Sequence, residues 1–400
     1  MGNRMNIMVN RGRVSAISSE LEFSVRSRGS CGADEIIRRG SESGISIGRE
    51  VNPKSVVELN ISKKMGGREL NESVDIDVRR ISEIAEYLNC SIYGGSAVHE
   101  SIEGLEPRAY RTTLLSRSLG IGMMQIVSQQ IVIGANSEEF GFRLYNNFRK
   151  INPALLALSA SSPHLYGETG SAHSSRRMQN YEDMFVHLPG VMYRHEGRMD
   201  SMDDYKKNLQ RTSDIVNRLL GQRRIDSDFY RISHDGAFFP FATLAPHQVY
   251  NPTRIRPDHN DQSAGGDSFM SIELRVCDMP TTTYRMKTIN SLAVGIAYYL
   301  QRNEAVDLPH GLNGNFELLK HVGRQGFDAK IGGIGLLDIG TNLAKVASEG
   351  LFYQGYIEEA KNIIDEVRHI SGENDSVLIA KRSGGPGDVD YLIGRLRKGE

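Results

Sequence analysis

The stretch that decides the fold is Glu20–Val25, with the sequence ELEFSV, because polar and apolar side chains alternate strictly along it. Side chains of a strand point alternately to its two faces, so Leu21 and Phe23 share one face with the final valine. Glu20 and Glu22 share the opposite face. The stretch therefore predicts a strand with one buried apolar face and one face that carries carboxylates.

Two more stretches repeat this pattern. Val57–Ile61 (VELNI) places Glu58 and an asparagine opposite three aliphatic side chains, and Ile272–Val276 (IELRV) places Glu273 and Arg275 opposite three others. Such one-sided apolar strands are typical of antiparallel sheets that pack one face on helices. The sequence therefore predicts an α+β fold built on an antiparallel sheet.

Apolar residues that recur every three or four positions predict helices between the strands. One pattern runs over Val78–Leu88 with Ser73 as an upstream cap, and Asn152–Pro153 predicts the start of another helix that runs through Ala160. Further helical patterns cover Ile289–Leu300 and Ile357–Val367.

Composition excludes several classes of protein. The 400 residues include 48 Lys plus Arg and 49 Asp plus Glu, a net charge of −1, which argues against binding nucleic acid or anionic membrane through bulk charge. The three cysteines are far apart, which favours a reducing compartment. The longest apolar stretches have about ten residues, half of the ~20 that span a bilayer, and no secretory signal is recognised. A cytoplasmic protein is expected.

Glutamates gathered on one sheet face would repel one another unless cations lie among them. Carboxylate oxygens are hard ligands that suit Mg²⁺ or Mn²⁺, and these ions commonly bridge carboxylates to nucleotide phosphates. For any single strand, a solvated charged face is the ordinary alternative. Other chemistries lack their motifs: no GxxxxGK[ST] loop and no GxSxG elbow occur, and Met199 stands where an HExxH motif needs its second histidine.

Several motifs along the chain resemble those of one known protein family. The chain is similar, over roughly residues 18–345, to the carboxylate–amine ligases of the second glutamate–cysteine ligase group, which share the catalytic fold of glutamine synthetase. The matching motifs are E-x-E-F at Glu20–Phe23, V-E-L-N at Val57–Asn60, a block at Leu156–Pro163 followed by Gly167–Gly170 and Arg176, R-P within Ile255–Pro257, and E-x-R-V-x-D at Glu273–Asp278.

One departure marks a divergent member. The family has His-x-His-x-Gly on a central strand, and the aligned stretch here is Gln130–Gly134 (QIVIG), with Gln130 and Val132 in the histidine positions. A glutamine can offer an amide oxygen to a metal or a substrate, whereas valine cannot. The resemblance therefore leaves open whether catalysis is retained, retuned or lost.

The resemblance implies a curved antiparallel sheet with helices on its outer face and an open funnel that carries the carboxylates. It also implies ATP-dependent amide-bond formation through an acyl phosphate, with Mg²⁺ or Mn²⁺. The metal ligands are expected to be Glu20, Glu22, Glu58 and Glu273. Arg256 and Arg275 are expected to act in catalysis and to bind the nucleotide phosphates, and Arg176 and Gln130 to bind substrate.

Glutamate and cysteine are the leading substrate pair by resemblance, although another amine can replace cysteine. A non-catalytic protein that binds a nucleotide or an amino acid on the same scaffold is the alternative. The expected partners are small-molecule substrates, with neither nucleic acid nor membrane, and a homodimer is allowed. We expect a tail over residues 1–15, a single catalytic domain over 16–372, and a linker with a short terminal segment over 373–400.

Overall fold

The computed structural model describes residues 12–29, 32–50, 52, 54–64, 66–95, 98, 105, 124–161, 175, 177–178, 198–205, 207, 253–257, 270–308, 316–372, 375 and 387–398. Within these residues, the main sheet has seven strands. They are β1 (Val14–Ser27), β2 (Ile47–Arg49), β3 (Val56–Lys64), β4 (Cys90–Tyr93), β5 (Gln129–Ala135), β6 (Thr253–Pro257) and β7 (Met270–Leu274).

The sheet is open, and every pairing in it is antiparallel. Its order is β2-β3-β1-β5-β7-β6, and β4 pairs with the end of β1 beyond this path. The long strand β1 is central because it contacts β3 along one edge and both β5 and β4 along the other. The prediction of an antiparallel α+β fold is confirmed.

The strand register places the predicted carboxylates on one face of the sheet. Glu22 lies opposite Glu58, and Glu20 lies opposite Gln130. Two residues along β5 from that glutamine, Val132 lies opposite Glu273 on β7. Residues directly opposite each other, and residues two apart on one strand, point to the same face. The four glutamates therefore share one face.

The helices in the described residues form two layers behind the other face, except for the last of them, which packs on Tyr93 on the carboxylate face. They are α1 (Ala33–Glu42), α2 (Gly67–Tyr87), α3 (Glu138–Ser159), α4 (Thr283–Leu300), α5 (Phe316–Gln325), α6 (Leu336–Tyr353), α7 (Ile357–Gly372) and α8 (Gly387–Lys398). Helices α2, α3 and α4 contact the sheet, and α6 and α7 pack behind α4. A short hairpin, β8 (Lys330–Ile331) with β9 (Ile334–Gly335), precedes α6.

The apolar face of the sheet forms the main core with these helices. Leu21, Phe23 and Leu59 are fully buried, and they join a continuous cluster with Ile289 and Leu292 of α4. Full burial of such a side chain contributes about 1.5–3 kcal/mol. The alternation that predicts the strands also predicts which of their side chains make this core.

Two predicted helix starts are wrong. Helix α2 begins at Gly67, before Ser73, whose hydroxyl donates instead to the Glu69 carbonyl oxygen at 2.8 Å. Helix α3 contains Pro153 in its interior and begins at Glu138, after a Ser137 side chain that accepts a hydrogen bond from the Phe140 backbone N–H. The helix continues through the proline because nearly all of its residues are buried in the core.

The terminal helix α8 packs on the strand β4. Leu392 is fully buried against Tyr93 in a small cluster that is separate from the main core. Arg395 donates to buried Asp375 at 3.1 Å, and Asp375 also accepts from Thr281. This terminal segment is therefore packed against the body of the protein. Among the described residues, we find no helix with the length and apolar character needed to cross a membrane.

Candidate active site

Three carboxylates converge at the strands β1, β2 and β3. Glu22, Glu50 and Glu58 each offer one oxygen, and these oxygens lie within 4.8 Å of one another. Glu22 and Glu58 are brought together by direct cross-strand pairing. Gly48 of β2 lies opposite Glu58, so Glu50, two residues later, reaches the same face.

Glu22 is the buried member of this cluster, and both its oxygens are hydrogen-bonded. The Ser128 backbone N–H donates to Oε2 at 2.6 Å, and the Gln130 side-chain amide donates to Oε1 at 2.8 Å. Burial raises the pKa of Glu22 to about 7, and repulsion from Glu58 adds to the rise, whereas Arg177 and the two hydrogen bonds lower it. The site thus holds negative charge that its surroundings only partly compensate.

This pKa predicts a pH dependence of stability. A carboxyl with a raised pKa in the folded state binds a proton that the unfolded chain has released, so stability is full below the ordinary value of 4.5 and is lost as pH rises through about 7. Metal-free protein should lose about 2–3 kcal/mol of unfolding free energy through Glu22 between pH 5 and pH 8. Urea unfolding of wild type and Glu22→Gln at both pH values measures the difference. Parallel pH dependence of the two proteins would contradict the prediction.

The other two predicted metal ligands lie on the same face but outside this cluster. Glu20 is half-buried, and it lies opposite Asn60 of β3 on one side and opposite Gln130 of β5 on the other. Glu273 is fully buried, and its Oε1 lies 3.6 Å from Nε of Arg275, a side chain that is 21% exposed. The strands β1 and β5 separate Glu273 from Glu58, a span of roughly 14 Å at the usual strand spacing. One ion cannot bridge the two.

The residues in the family's histidine positions have distinct environments. Gln130 is buried and its amide donates to Glu22, so it orients the carboxylate cluster directly. Val132 lies opposite Glu273 and is almost fully buried. The glutamine thus restores a polar contact at one of the two positions, and the valine leaves an apolar surface at the other.

The remaining predicted arginines are only partly described. Arg256 lies on β6 opposite Ser271 of β7, and its side chain lies outside the described part of the structure. Arg176 lies outside the described residues altogether. Their roles in phosphate and substrate binding remain predictions from the sequence.

Sequence reasoning missed two residues of this region. Glu50 follows a strand of three residues, too short to show an alternating pattern, so only the register of β2 on β3 reveals it. Arg177 follows the predicted Arg176 and is 1% exposed, with a guanidinium close enough to lower the pKa of Glu22. A buried arginine is rare unless it is paired, but no local pattern distinguishes it from its neighbour.

The donor set of the cluster fits a divalent ion. Carboxylate oxygens are the ligands that Mg²⁺ and Mn²⁺ prefer, and three of them converge at a partly exposed point of the sheet. Burial is the main reason that the pKa of Glu22 is raised, and a bound divalent cation would offset the repulsion from Glu58 that adds to the rise. Glu22, Glu50 and Glu58 are therefore the residues that would hold the ion.

A family model for glutamate–cysteine ligase family 2 matches residues 20–311 of the chain. A Legionella pneumophila (strain Philadelphia 1) protein provisionally named glutamate–cysteine ligase 2 is 23% identical to this chain. The alignment has a length of 409 residues and covers 96% of this chain and 93% of that protein. A second provisional ligase of this type, from the Corby strain, is also 23% identical and covers 93% of this chain and 90% of its own length.

Two solved structures share the fold. A glutamate–cysteine ligase from Francisella tularensis, solved in complex with AMP, superposes with a TM-score of 0.58 at 12% identity and covers 96% of this chain and 88% of its own. A bifunctional glutathione synthetase from Pasteurella multocida gives a TM-score of 0.60 at 12% identity, covering 96% of this chain and 52% of its own. At such low identity the likeness shows the fold alone.

Proposed function

Because this chain belongs to glutamate–cysteine ligase family 2 and is a carboxylate–amine ligase, we propose that it couples ATP cleavage to amide-bond formation through an acyl phosphate. The preferred pair of substrates is glutamate and cysteine, or a close variant in which another amine replaces cysteine. The observation that carries the proposal is the convergence of Glu22, Glu50 and Glu58 on one face of the sheet.

The proposed reaction balances without a protein nucleophile. A carboxylate oxygen of the first substrate attacks the terminal phosphorus of ATP, and ADP leaves. The amine nitrogen then attacks the acyl carbon, phosphate departs with the former carboxylate oxygen, and the amine releases a proton to solvent. Catalysis then depends on positioning the substrates and on neutralising the phosphate charge.

Metal binding and phosphate binding are assigned to residues at two ends of the carboxylate face of the sheet. Glu22, Glu50 and Glu58 would hold the Mg²⁺ or Mn²⁺, which when bound would neutralise charge on the ATP phosphates. Gln130 and the Ser128 backbone keep Glu22 oriented toward its two partners. Arg275, partly exposed beside Glu273, offers a guanidinium to a phosphate oxygen.

A survey of ADP release tests this proposal. Purified protein with ATP and Mg²⁺ or Mn²⁺ should release ADP over repeated turnovers only when a carboxylate and an amine substrate are both present. Amino-acid pairs that include glutamate and cysteine are compared with each amino acid alone, because the second step needs the amine. If no pair stimulates ADP release while ATP still binds, the non-catalytic function replaces the ligase.

The presence of valine at position 132, where the family has histidine, favours the non-catalytic function. A family position that carries histidine is here an almost fully buried valine, which offers no ligand atom. Removal of one preorganised electrostatic contact costs about 10²–10³-fold in rate, so the loss of one histidine slows a ligase without abolishing its chemistry. Gln130 retains a polar contact at the other position, and we therefore prefer the catalytic function.

A further inference from the structure

Arg177 contacts the chain directly after β7. Its Nη2 donates to the Arg275 carbonyl oxygen at 2.9 Å, and its Nη1 donates to the Val276 carbonyl oxygen at 3.2 Å. One planar guanidinium therefore fixes two consecutive peptide groups. Its side chain is 1% exposed, so these contacts are shielded from water.

A buried carboxylate balances this guanidinium and connects it to two other segments. Asp278 is fully buried, and its Oδ1 lies 3.6 Å from Nη1 of Arg177. The same oxygen accepts from the Ser175 hydroxyl at 2.9 Å, and Oδ2 accepts from the Ser161 backbone N–H at 3.1 Å. The end of β7 is thereby tied to residues 161, 175 and 177.

Residues 275–278, the segment that Arg177 fixes, connect the two ends of the carboxylate face of the sheet. The segment begins with Arg275, the arginine proposed to bind phosphate, which lies two residues after Glu273. It ends at Asp278, which forms an isolated bridge with Ser128, and the Ser128 N–H donates to Glu22. A shift of this segment would therefore move the phosphate-binding arginine relative to the carboxylate cluster.

We propose that Arg177 is a positioning residue, which clamps the backbone of Arg275 and Val276 so that the Arg275 guanidinium is held ready for the ATP phosphates. The inference rests on the proposed function, because it needs Arg275 to bind ATP. A lysine cannot replace the clamp, since its ammonium is a compact point charge without the planar fork that spans two carbonyls.

A double-mutant cycle on ATP affinity tests the inference. The variants Arg177→Lys, Arg275→Ala and the double variant are titrated with ATP and Mg²⁺ by calorimetry, and kcat is measured for each. Because Arg177 acts through Arg275, we expect Arg177→Lys to weaken ATP binding about 10-fold, and to have less than a twofold effect once Arg275 is alanine. Fold-changes that multiply would overturn the inference.

Arg285 offers a matched control. It is similarly buried, pairs with Asp375 at 3.0 Å and donates to the Ile370 carbonyl oxygen at 3.0 Å, contacts that connect α4 to the end of α7. Arg285→Lys should lower the melting temperature about as much as Arg177→Lys does while leaving ATP affinity unchanged. An equal loss of ATP affinity in both variants would mean that general destabilisation is responsible, and would overturn the inference.

Two further comparisons cover the cases in which Arg177→Lys does not fold or the wild-type protein does not bind ATP. If Arg177→Lys does not fold, Ser175→Ala removes one hydrogen bond to Asp278 and should weaken ATP binding about 2–5-fold, an effect that should vanish in the Arg275→Ala background. An effect that persists there overturns the inference. A wild-type protein that binds no ATP overturns the proposed function, whereas ATP binding with multiplying effects overturns the role of Arg177 alone.

Discussion

Glu22→Gln is expected to lower metal-dependent ATP turnover by about 10²–10³-fold or more while the protein stays folded. The substitution removes the buried anionic ligand from the cluster and leaves Glu50 and Glu58 as a weaker pair. The fold should survive because an amide oxygen can still accept from the Ser128 N–H, and the Gln130 amide can rotate to accept from the new amide. ADP release and thermal melting measure the two effects.

The melting temperature of this variant should be unchanged or higher in metal-free buffer, because a repelling buried charge is removed. Glu83→Gln on α2 is a suitable control, since this residue lies on a helix behind the apolar face of the sheet. If Glu22→Gln unfolds, Glu22 is structural and not a metal ligand. If it retains wild-type turnover, the cluster has no part in catalysis.

Removal of the divalent ion is expected to reduce ATP turnover to the background rate. The carboxylate cluster alone would then face the phosphates and repel them. Folding should be largely retained, because the main core is built from apolar side chains on the opposite face of the sheet. Turnover and melting are measured after treatment with a chelator, and again after Mg²⁺ or Mn²⁺ is restored.

Loss of the bound ion removes only its binding contribution to stability, about 2.7 kcal/mol at an ion concentration 100 times the dissociation constant. A modest fall in melting temperature is therefore compatible with a catalytic ion. Full unfolding on chelation would instead identify a structural ion. Turnover that persists in the chelated protein would contradict the metal assignment.

The sheet could be predicted because local periodicity determines which strand face is buried. Leu21 and Leu59 alternate with Glu22 and Glu58, and the two strands pair so that like faces align. Helix starts could not be located in the same way. Pro153 reads as a helix start in isolation, but the buried helix α3 tolerates it in its interior, where tertiary packing outweighs the local preference.

Part of the candidate site follows from the sequence, and the rest depends on tertiary contacts. The pairing of Glu22 with Glu58 follows from alternation once the two strands are neighbours. Glu50 joins them only through the register of a strand of three residues. Burial of Arg177 depends on carbonyl groups about a hundred residues away, which no local pattern can reveal.

The position of Gln130 illustrates a third limit. The sequence identifies it as a replacement for a family histidine and suggests an amide oxygen directed at metal or substrate. The structure shows its amide nitrogen donating to Glu22. The direction of an amide depends on its neighbours, and a carboxylate 2.8 Å away requires a donor.

The transfer of a carboxylate oxygen to phosphate is the measurement that tests the ligase mechanism most directly. The carboxylate substrate that supports ADP release is labelled with ¹⁸O in its reacting carboxylate, and the released phosphate is analysed by mass spectrometry. An acyl phosphate places one ¹⁸O atom in each phosphate, because the carboxylate oxygen stays bound to phosphorus when the amine displaces it. Released phosphate that carries no ¹⁸O would contradict the account, since ATP would then have been cleaved by water.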